Sequence, residues 1–128
     1  MKIAYLSVTG NVKSFIDELG VDESDLIEIS DNDWPVEVNE DFILFVPTYD
    51  EYMTECVDEF LDEGDNASHC LGLVASGNRN FGEDGYIFTA KDLKKKYGLP
   101  ILHDFEYAGL STDIEEVQEQ INKLKGDK

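Results

Sequence analysis

Short apolar runs alternate with amphipathic segments along most of the chain. The apolar runs lie at positions 3–6, 42–46 and 71–75, and two further strand-like segments, 26–29 and 101–107, mix apolar with polar residues. Apolar runs of this length, bounded by turn residues, are typical of strands that are buried on both faces. The pattern therefore predicts five strands, and the most apolar run, 42–46, is expected to be the central one.

Four segments between or after these strands repeat apolar residues at helical spacings of three and four residues. Segment 30–41 has no such repeat, so the helix expected between the second and third strands is missing there. Thr112 and Asp113 are candidate caps of the last helix. The four stripes are Val12, Phe15, Ile16 and Leu19; Met53, Cys56, Val57, Phe60 and Leu61; Tyr86, Ala90, Leu93 and Tyr97; and Ile114, Val117, Ile121 and Leu124.

This order of elements predicts an α/β fold. Buried strands that alternate with amphipathic helices form a parallel sheet with helices on both faces. Five such strands favour a flavodoxin-like three-layer sandwich with the strand order 2-1-3-4-5. The 128 residues have the usual size of one domain, so residues 1–128 are expected to form a single domain.

The chain is strongly acidic, with 29 acidic and 10 basic residues and a formal net charge of −19 at pH 7. No Lys or Arg occurs between residues 14 and 78, so one side of the molecule should be strongly negative. Such a field disfavours nucleic acid and anionic membranes and favours a protein partner with a basic face. Solubility or a saline habitat explains the excess equally well.

Other side chains fit roles in the core. Cys56 and Cys70 are too few for a disulfide scaffold or a metal cluster, and we expect both to be small core side chains. Trp34 precedes Pro35, and we expect it to cover an edge of the core. The apolar run at 3–6 is too short for a signal peptide, and no run is long enough to span a membrane. A cytoplasmic location is therefore expected.

In a sheet of this order, ligands bind beyond the carboxyl ends of strands 1 and 3, where three loops meet. The first loop offers the hydroxyls of Ser7 and Thr9, the amide of Asn11 and a flexible backbone at Gly10. Backbone N–H groups ahead of a helix bind phosphate without a basic residue. A capped turn is an equally good interpretation of this loop, which lacks the Walker and dinucleotide patterns.

The second loop brings Thr48, Tyr49 and Tyr52 to the same edge. Aromatic side chains there suit a planar ring, although this loop alone would be interpreted as a surface turn.

The third loop, 77–82, is the most unusual stretch. Its glycines allow close approach of a ligand, and Asn78 and Asn80 can donate and accept at the polar edge of a flavin. Phe81 could cover a ring face. Arg79 is the only arginine in the chain, and ligand binding and charge compensation explain it equally well.

Together the three loops resemble NrdI, the flavodoxin-like protein of the class Ib ribonucleotide reductase system. The most specific segment is Ala-Ser-Gly-Asn-Arg-Asn-Phe-Gly at 75–82, which resembles the family signature. The run Pro-Thr-Tyr at 47–49 resembles the start of the second flavin loop. Phe105 and Glu106 with Gly109, followed by 113–115, resemble the C-terminal pattern. The resemblance extends over nearly the whole chain.

The resemblance implies non-covalently bound FMN and a partner, the small subunit of a class Ib ribonucleotide reductase. In that family the reduced flavin reacts with oxygen, and superoxide or peroxide passes to the dimanganese centre that generates the tyrosyl radical. A flavodoxin or thioredoxin-type reductase would supply the electrons. The protein would be an activator or electron carrier, with no catalytic acid or base and no metal of its own.

By position, the resemblance assigns two groups of residues to FMN. The chain departs from the family pattern at two places: Asp50, Glu51 and Tyr52 replace a run of glycines, and Val12 replaces a threonine found in many relatives. The added carboxylates would disfavour an anionic reduced flavin. The assigned residues are Ser7, Thr9, Gly10, Asn11 and Val12 at the phosphate, and Thr48, Tyr49, Asp50, Gly77, Asn78, Asn80, Phe81 and Gly82 at the ring.

Several alternatives share the fold. A generic flavodoxin electron carrier fits less well with the asparagines and arginine of the third loop. A receiver domain needs acidic residues after the first strand and a phospho-accepting Asp after the third, where this chain has Ser-Val-Thr and Pro-Thr-Tyr. A low-molecular-weight phosphatase needs a cysteine in the first loop. A flavodoxin-like interaction module that has lost flavin binding stays open.

Overall fold

The computed structural model describes residues 1–30, 34–49 and 51–126, apart from the side chains of 51–53, 81, 83 and 84. Its single sheet has five parallel strands in the order β2-β1-β3-β4-β5, which confirms the predicted fold. The strands are β1 (Lys2–Tyr5), β2 (Leu26–Glu28), β3 (Phe42–Val46), β4 (Cys70–Gly77) and β5 (Ile101–Glu106).

Helices cover both faces of the sheet and complete a three-layer sandwich. Side chains of α1 and α6 form one core cluster with the sheet, and side chains of α2 and α5 form the other. The helices are α1 (Asn11–Leu19), α2 (Glu51–Asp62), α3 (Asn66–His69), α4 (Gly82–Gly85), α5 (Phe88–Tyr97) and α6 (Ser111–Gly126), with 3₁₀ turns at Glu23–Asp25 and Arg79–Phe81. Among the described helices, none is both long and apolar enough to cross a membrane.

The central strand shows why the sheet needs two helical layers. Every residue of β3 is buried, and successive side chains point to opposite faces. Ile43 and Phe45 pack in the α1–α6 cluster, whereas Leu44 and Val46 pack in the α2–α5 cluster. Cys56 and Cys70 are buried, as expected from the sequence.

The α1–α6 layer is closed by an aromatic stack. The rings of Phe15 in α1 and Phe105 in β5 lie 3.9 Å apart between centroids, with an interplanar angle of 8°. The chain then passes directly over this stack at Gly109, which has φ = +81°. A Cβ at Gly109 would lie 2.6 Å from Phe15, so both the backbone angle and the space require glycine.

Three local predictions differ from the structure. Helix α6 begins at Ser111, so Thr112 and Asp113 are inside it. Asp113 instead accepts the backbone N–H of Leu110 through Oδ2 at 2.8 Å, as an acidic residue in a first helical turn can. The predicted third loop, 77–82, contains the last residue of β4, a 3₁₀ turn and the first residue of α4. Helix α3 was not predicted, because four residues are too few for a periodic pattern.

A buried asparagine fixes the segment that replaces the missing crossover helix. No helix occurs between β2 and β3 in the described residues 29–30 and 34–41. Asn66 is fully buried, accepts the N–H of Val38 at 2.7 Å, and donates to the carbonyls of Val36 and Phe60, both at 2.8 Å. The bonds to Val36 and Val38 satisfy backbone groups that a helix would have satisfied internally, and the bond to Phe60 ties the irregular segment to the end of α2.

We expect Asn66→Ala to lower the free energy of unfolding by about 2 kcal/mol, because it leaves the N–H of Val38 and the carbonyl of Val36 without this partner. The Phe60 carbonyl still accepts the N–H of Glu63 at 3.2 Å. Urea unfolding followed by circular dichroism measures the change. The exposed Asn39→Ala provides a matched control and should change stability by less than about 0.5 kcal/mol. Equal effects of the two substitutions would contradict the structural role of Asn66.

We expect both cysteine thiols to react slowly with a disulfide reagent in the native protein at pH 8, and rapidly in urea. Burial raises the pKa of Cys70 from its ordinary value of 9.0 to about 11, which removes the reactive thiolate at pH 8. Because the folded-state pKa is raised, the stabilising contribution is complete below pH 9 and is lost as the pH rises towards 11. Rapid reaction of both thiols in the folded protein would refute this burial.

Candidate functional site

A cavity of about 570 Å³ opens at the carboxyl ends of the strands. Its volume is in the range of small-molecule and cofactor sites. Three of its sides come from the three loops predicted from the sequence, and the others come from α5 and the end of β5. The lining residues are Val8, Thr9, Asn11, Val12, Pro47, Thr48, Tyr49, Ser76, Gly77, Asn78, Phe88 and Tyr107.

The first loop turns into α1 at Gly10, whose φ of +94° favours glycine. No side chain caps this helix at Gly10. Ser7 Oγ accepts the N–H of Lys13 at 3.3 Å and so folds the loop back over the first turn. The result is a helix N-terminus that faces the cavity with backbone N–H groups and the neutral side chains of Thr9 and Asn11.

The basic residue nearest in sequence to the first loop, Lys13, is paired outside the cavity lining. The ammonium group of Lys13 forms an i,i+4 ion pair with Asp17 further along α1. The hydrogen bond to Asp17 raises the pKa of Lys13. Lys13 is absent from the cavity lining, so an anion in the first loop would be held by neutral donors and by the helix dipole.

Hydrogen bonds fix the second loop to its neighbours. Thr48 Oγ1 donates to the carbonyl of Ser76 at 2.8 Å, which joins the ends of β3 and β4. The N–H of Tyr49 donates to Thr89 Oγ1 at 3.2 Å, and that hydroxyl donates back to the Tyr49 carbonyl at 3.1 Å. The backbone at Tyr49 is therefore held against α5 on the cavity wall. Asp50 lies outside the described residues.

The third loop approaches α5 closely at Gly77. A Cβ there would lie 2.8 Å from Ile87 Cγ2 and 3.1 Å from the Ile87 backbone nitrogen, so only glycine fits without displacement. After Gly77, the side chain of Asn78 accepts the N–H of Asn80 at 2.9 Å and starts the 3₁₀ turn. Asn78 thus shapes the loop as well as lining the cavity.

Arg79 joins this loop to β5. Its Nε lies 3.2 Å from Glu106 Oε1, and its backbone N–H donates to Glu106 Oε2 at 3.3 Å. The guanidinium also lies 3.7 Å from Asp104 Oδ1 and 4.2 Å from the ring centre of Tyr86. Tyr86 in turn donates to Asp104 at 2.9 Å, and burial together with this bond raises the pKa of Tyr86. Of the two roles considered for Arg79, these contacts favour charge compensation.

Tyr107 is a cavity residue that the sequence reasoning missed. Its backbone has φ = +52°, an uncommon conformation for a bulky residue. Two bonds to the adjacent strand hold it there: its N–H donates to the Gly77 carbonyl at 3.1 Å, and its carbonyl accepts Ser76 Oγ at 2.7 Å. The side chain is 51% exposed at the cavity rim. The sequence places it at the carboxyl end of the predicted fifth strand, 101–107, and that position was the available signal, whereas β5 ends at Glu106.

The structure gathers seven of the sequence-predicted site residues around the cavity. These are Thr9, Asn11, Val12, Thr48, Tyr49, Gly77 and Asn78. Ser7 and Gly10 support the first loop without lining the cavity, and Asn80 and Gly82 are exposed on the 3₁₀ turn and α4. The side chain of Phe81 is outside the described part of the structure. Val8, Pro47, Ser76 and Phe88 line the cavity but were not predicted.

The sequence is similar to that of known proteins over most of its length. A family model described as "NrdI Flavodoxin like" matches residues 3–119. The chain belongs to the NrdI flavodoxin-like family. It is 38% identical to Protein NrdI of Mycoplasmoides gallisepticum over 133 aligned positions, which cover 97% of this chain and 85% of the relative.

Two streptococcal proteins are also similar to this chain over most of its length. A putative NrdI-like protein of Streptococcus pneumoniae is 33% identical, with 91% of this chain and 89% of the relative covered. Protein NrdI of Streptococcus pyogenes is 32% identical, with 96% of this chain and 78% of the relative covered. The NrdI matches confirm the family resemblance that was identified from the sequence over nearly the whole chain.

We expect Arg79→Gln to accelerate amide hydrogen exchange at residues 78–80 roughly threefold, because it removes an exposed ion pair of under about 1 kcal/mol that holds this turn to β5. Exchange followed by mass spectrometry or NMR measures the change. Lys95→Gln on α5 removes the same charge from an exposed position and should leave these amides unchanged. Equal rates in the two variants would contradict the role assigned to Arg79.

Proposed function

We propose that this protein binds FMN in the 570 Å³ cavity and delivers electrons or a reduced oxygen species to the small subunit of a class Ib ribonucleotide reductase. The observation that carries the proposal is the chemistry of the cavity lining, in a chain of the NrdI family. A loop with uncharged polar side chains and backbone N–H groups lines one part of the cavity, and apolar and aromatic side chains line the rest.

The first loop would hold the phosphate. A phosphate dianion at the start of α1 would meet backbone N–H groups, the Thr9 hydroxyl and the Asn11 amide. Neutral donors suit this position because the cation nearest in sequence is paired with Asp17. Val12 is buried and contributes its backbone N–H to this turn, so the loss of a side-chain hydroxyl there leaves the backbone donor in place.

The walls beyond this loop would hold the ring. Tyr49, Phe88 and Tyr107 supply aromatic surface, and Gly77 lets the β4 backbone come close to a flat ligand. Asn78 and the backbone at Gly77 offer donors and acceptors for the polar edge of the ring. FMN, when bound, supplies the one- and two-electron chemistry, and the protein orients it and sets its electrostatic surroundings.

The charge of the protein bears on the redox chemistry. The described lining of the cavity contains no Lys or Arg, and the chain as a whole is strongly acidic. A negative field disfavours a negatively charged reduced flavin and so lowers the potential of the step that forms it. A low potential makes the reduced protein a stronger donor to oxygen. The electron donor would be a flavodoxin or thioredoxin-type reductase.

An anaerobic reductive titration of the purified protein with FMN tests the proposal. We expect stoichiometric FMN binding, stepwise bleaching of the flavin absorbance and rapid reoxidation in air. Addition of the reduced holoprotein, oxygen and Mn²⁺ to the class Ib small subunit should then generate a tyrosyl radical, detected by electron paramagnetic resonance. Absence of FMN binding would refute the site, whereas binding without radical formation would leave a flavodoxin-type electron carrier.

We expect Thr9→Val to weaken binding of FMN about tenfold or more while leaving riboflavin affinity unchanged, since the lost hydrogen bond is to a charged phosphate. Fluorescence titration of both ligands measures the difference. Thr112→Val, at an exposed position in α6, is the matched control and should affect neither ligand. An equal loss of affinity for FMN and riboflavin would show that the first loop does not hold the phosphate.

A further inference from the structure

A second cavity, of about 320 Å³, lies beside the edge strand β2. It shares no lining residue with the first cavity. Its walls come from the end of β2, the segment around Trp34 and the outer side of α2. The apolar part of the lining is Ile27, Ile29, Pro35, Val36, Cys56 and Phe60.

Trp34 borders this cavity and is almost entirely exposed. Its relative exposure is 91%, so the expectation that it covers an edge of the core is wrong. The neighbouring Val36 is 56% exposed. A large aromatic side chain beside an apolar cavity is the arrangement found where partner proteins bind, since Trp is enriched among the residues that dominate interface energetics.

The segment that carries Trp34 is anchored. Asn66 bonds to the backbone of Val36 and Val38, and a Cβ at Gly64 would clash with the Glu37 side chain, which packs directly over it. These contacts hold the backbone next to Trp34 against the end of α2. The exposed indole therefore projects from a supported stretch of chain, which lowers the entropy lost on binding.

The charge around this cavity has one sign. Glu28 and Glu59 line it and are exposed. All its lining residues belong to the stretch 14–78, which holds 19 of the 29 acidic residues and none of the 10 basic ones. The rest of the chain is balanced, with ten residues of each sign.

Three lysines pair with carboxylates of this stretch in the described structure. Lys96 of α5 pairs with Asp58 at 3.4 Å, Lys2 pairs with Asp25 at 3.5 Å, and Lys13 pairs with Asp17. None of these pairs involves the two glutamates of the cavity. The rim would therefore attract a partner of opposite charge, and the attraction would be screened by salt.

We propose that this cavity, with Trp34 at its rim, is a docking site for a protein partner whose contact surface carries an apolar side chain flanked by arginines or lysines. The apolar side chain fills the space between β2 and α2. The flanking cations pair with Glu28 and Glu59, and an arginine stacks on the open face of Trp34. The site does not depend on FMN, so the first cavity and this one can be occupied together.

Trp34 is the only tryptophan of the chain, so its fluorescence reports directly on this surface. The probe is a synthetic peptide with a leucine between two pairs of arginines. We expect a saturable blue shift of the emission on adding this peptide to the full chain, and a dissociation constant that rises with salt. A peptide with serine in place of leucine should bind more weakly, because it cannot fill the apolar cavity.

Charge reversal separates local recognition from net attraction. We expect the double variant Glu28→Lys, Glu59→Lys to weaken peptide binding about tenfold or more. The matched variant Glu115→Lys, Glu119→Lys changes the net charge equally on α6 and should weaken it less than about threefold. Circular dichroism checks that both variants fold. If one variant does not fold, the affinities of the leucine and serine peptides for the unaltered protein test the proposal instead.

Four results would overturn the proposal. Equal weakening by the two double variants would show attraction by net charge alone. Equal affinity for the leucine and serine peptides, or no change in Trp34 emission, would show that the cavity is not used. A blue shift that grows with protein concentration alone, with a dimer in sedimentation, would identify a second copy of this chain as the occupant.

Discussion

The fully buried central strand β3 is the constraint on which the rest of the structure depends. Its five apolar side chains can be removed from water only if helices pack on both faces of the sheet. Parallel strands then end together, so the loops after β1, β3 and β4 meet at one edge. The cavity at that edge is a consequence of the topology, and the residues of the loops determine what it can hold.

Polar contacts of long sequence separation then give this edge its shape. Thr48 joins the β3 loop to β4, Ser76 and Gly77 hold Tyr107 in a left-handed backbone conformation, and Arg79 connects the third loop to β5. Each bond links residues that are far apart in the chain. The site is therefore built by the folded sheet, and a loop taken out of that context would not keep its form.

The strands and long helices could be predicted because burial imposes a period on the sequence. Phe42–Val46 agrees residue for residue with the predicted range, the apolar stripe of α1 is buried, and the described part of the α2 stripe, from Cys56 to Leu61, is buried as well. Asn66 could not be predicted, because its three partners lie 6 to 30 residues away and leave no local pattern. Tyr107 and Trp34 were missed or misplaced because an aromatic side chain is usually assumed to be buried, whereas these two are exposed beside cavities.

An amide chemical-shift map of the protein on addition of FMN locates the bound ligand without relying on activity. We expect the largest shifts at residues 9–12, at 77–78 and at Tyr107. Riboflavin, which lacks the phosphate, should reproduce the shifts at 77–78 and at Tyr107 but not those at 9–12. Shifts that cluster elsewhere, or an identical response at 9–12 to FMN and riboflavin, would contradict the placement of the phosphate in the first loop and the ring against β4 and β5.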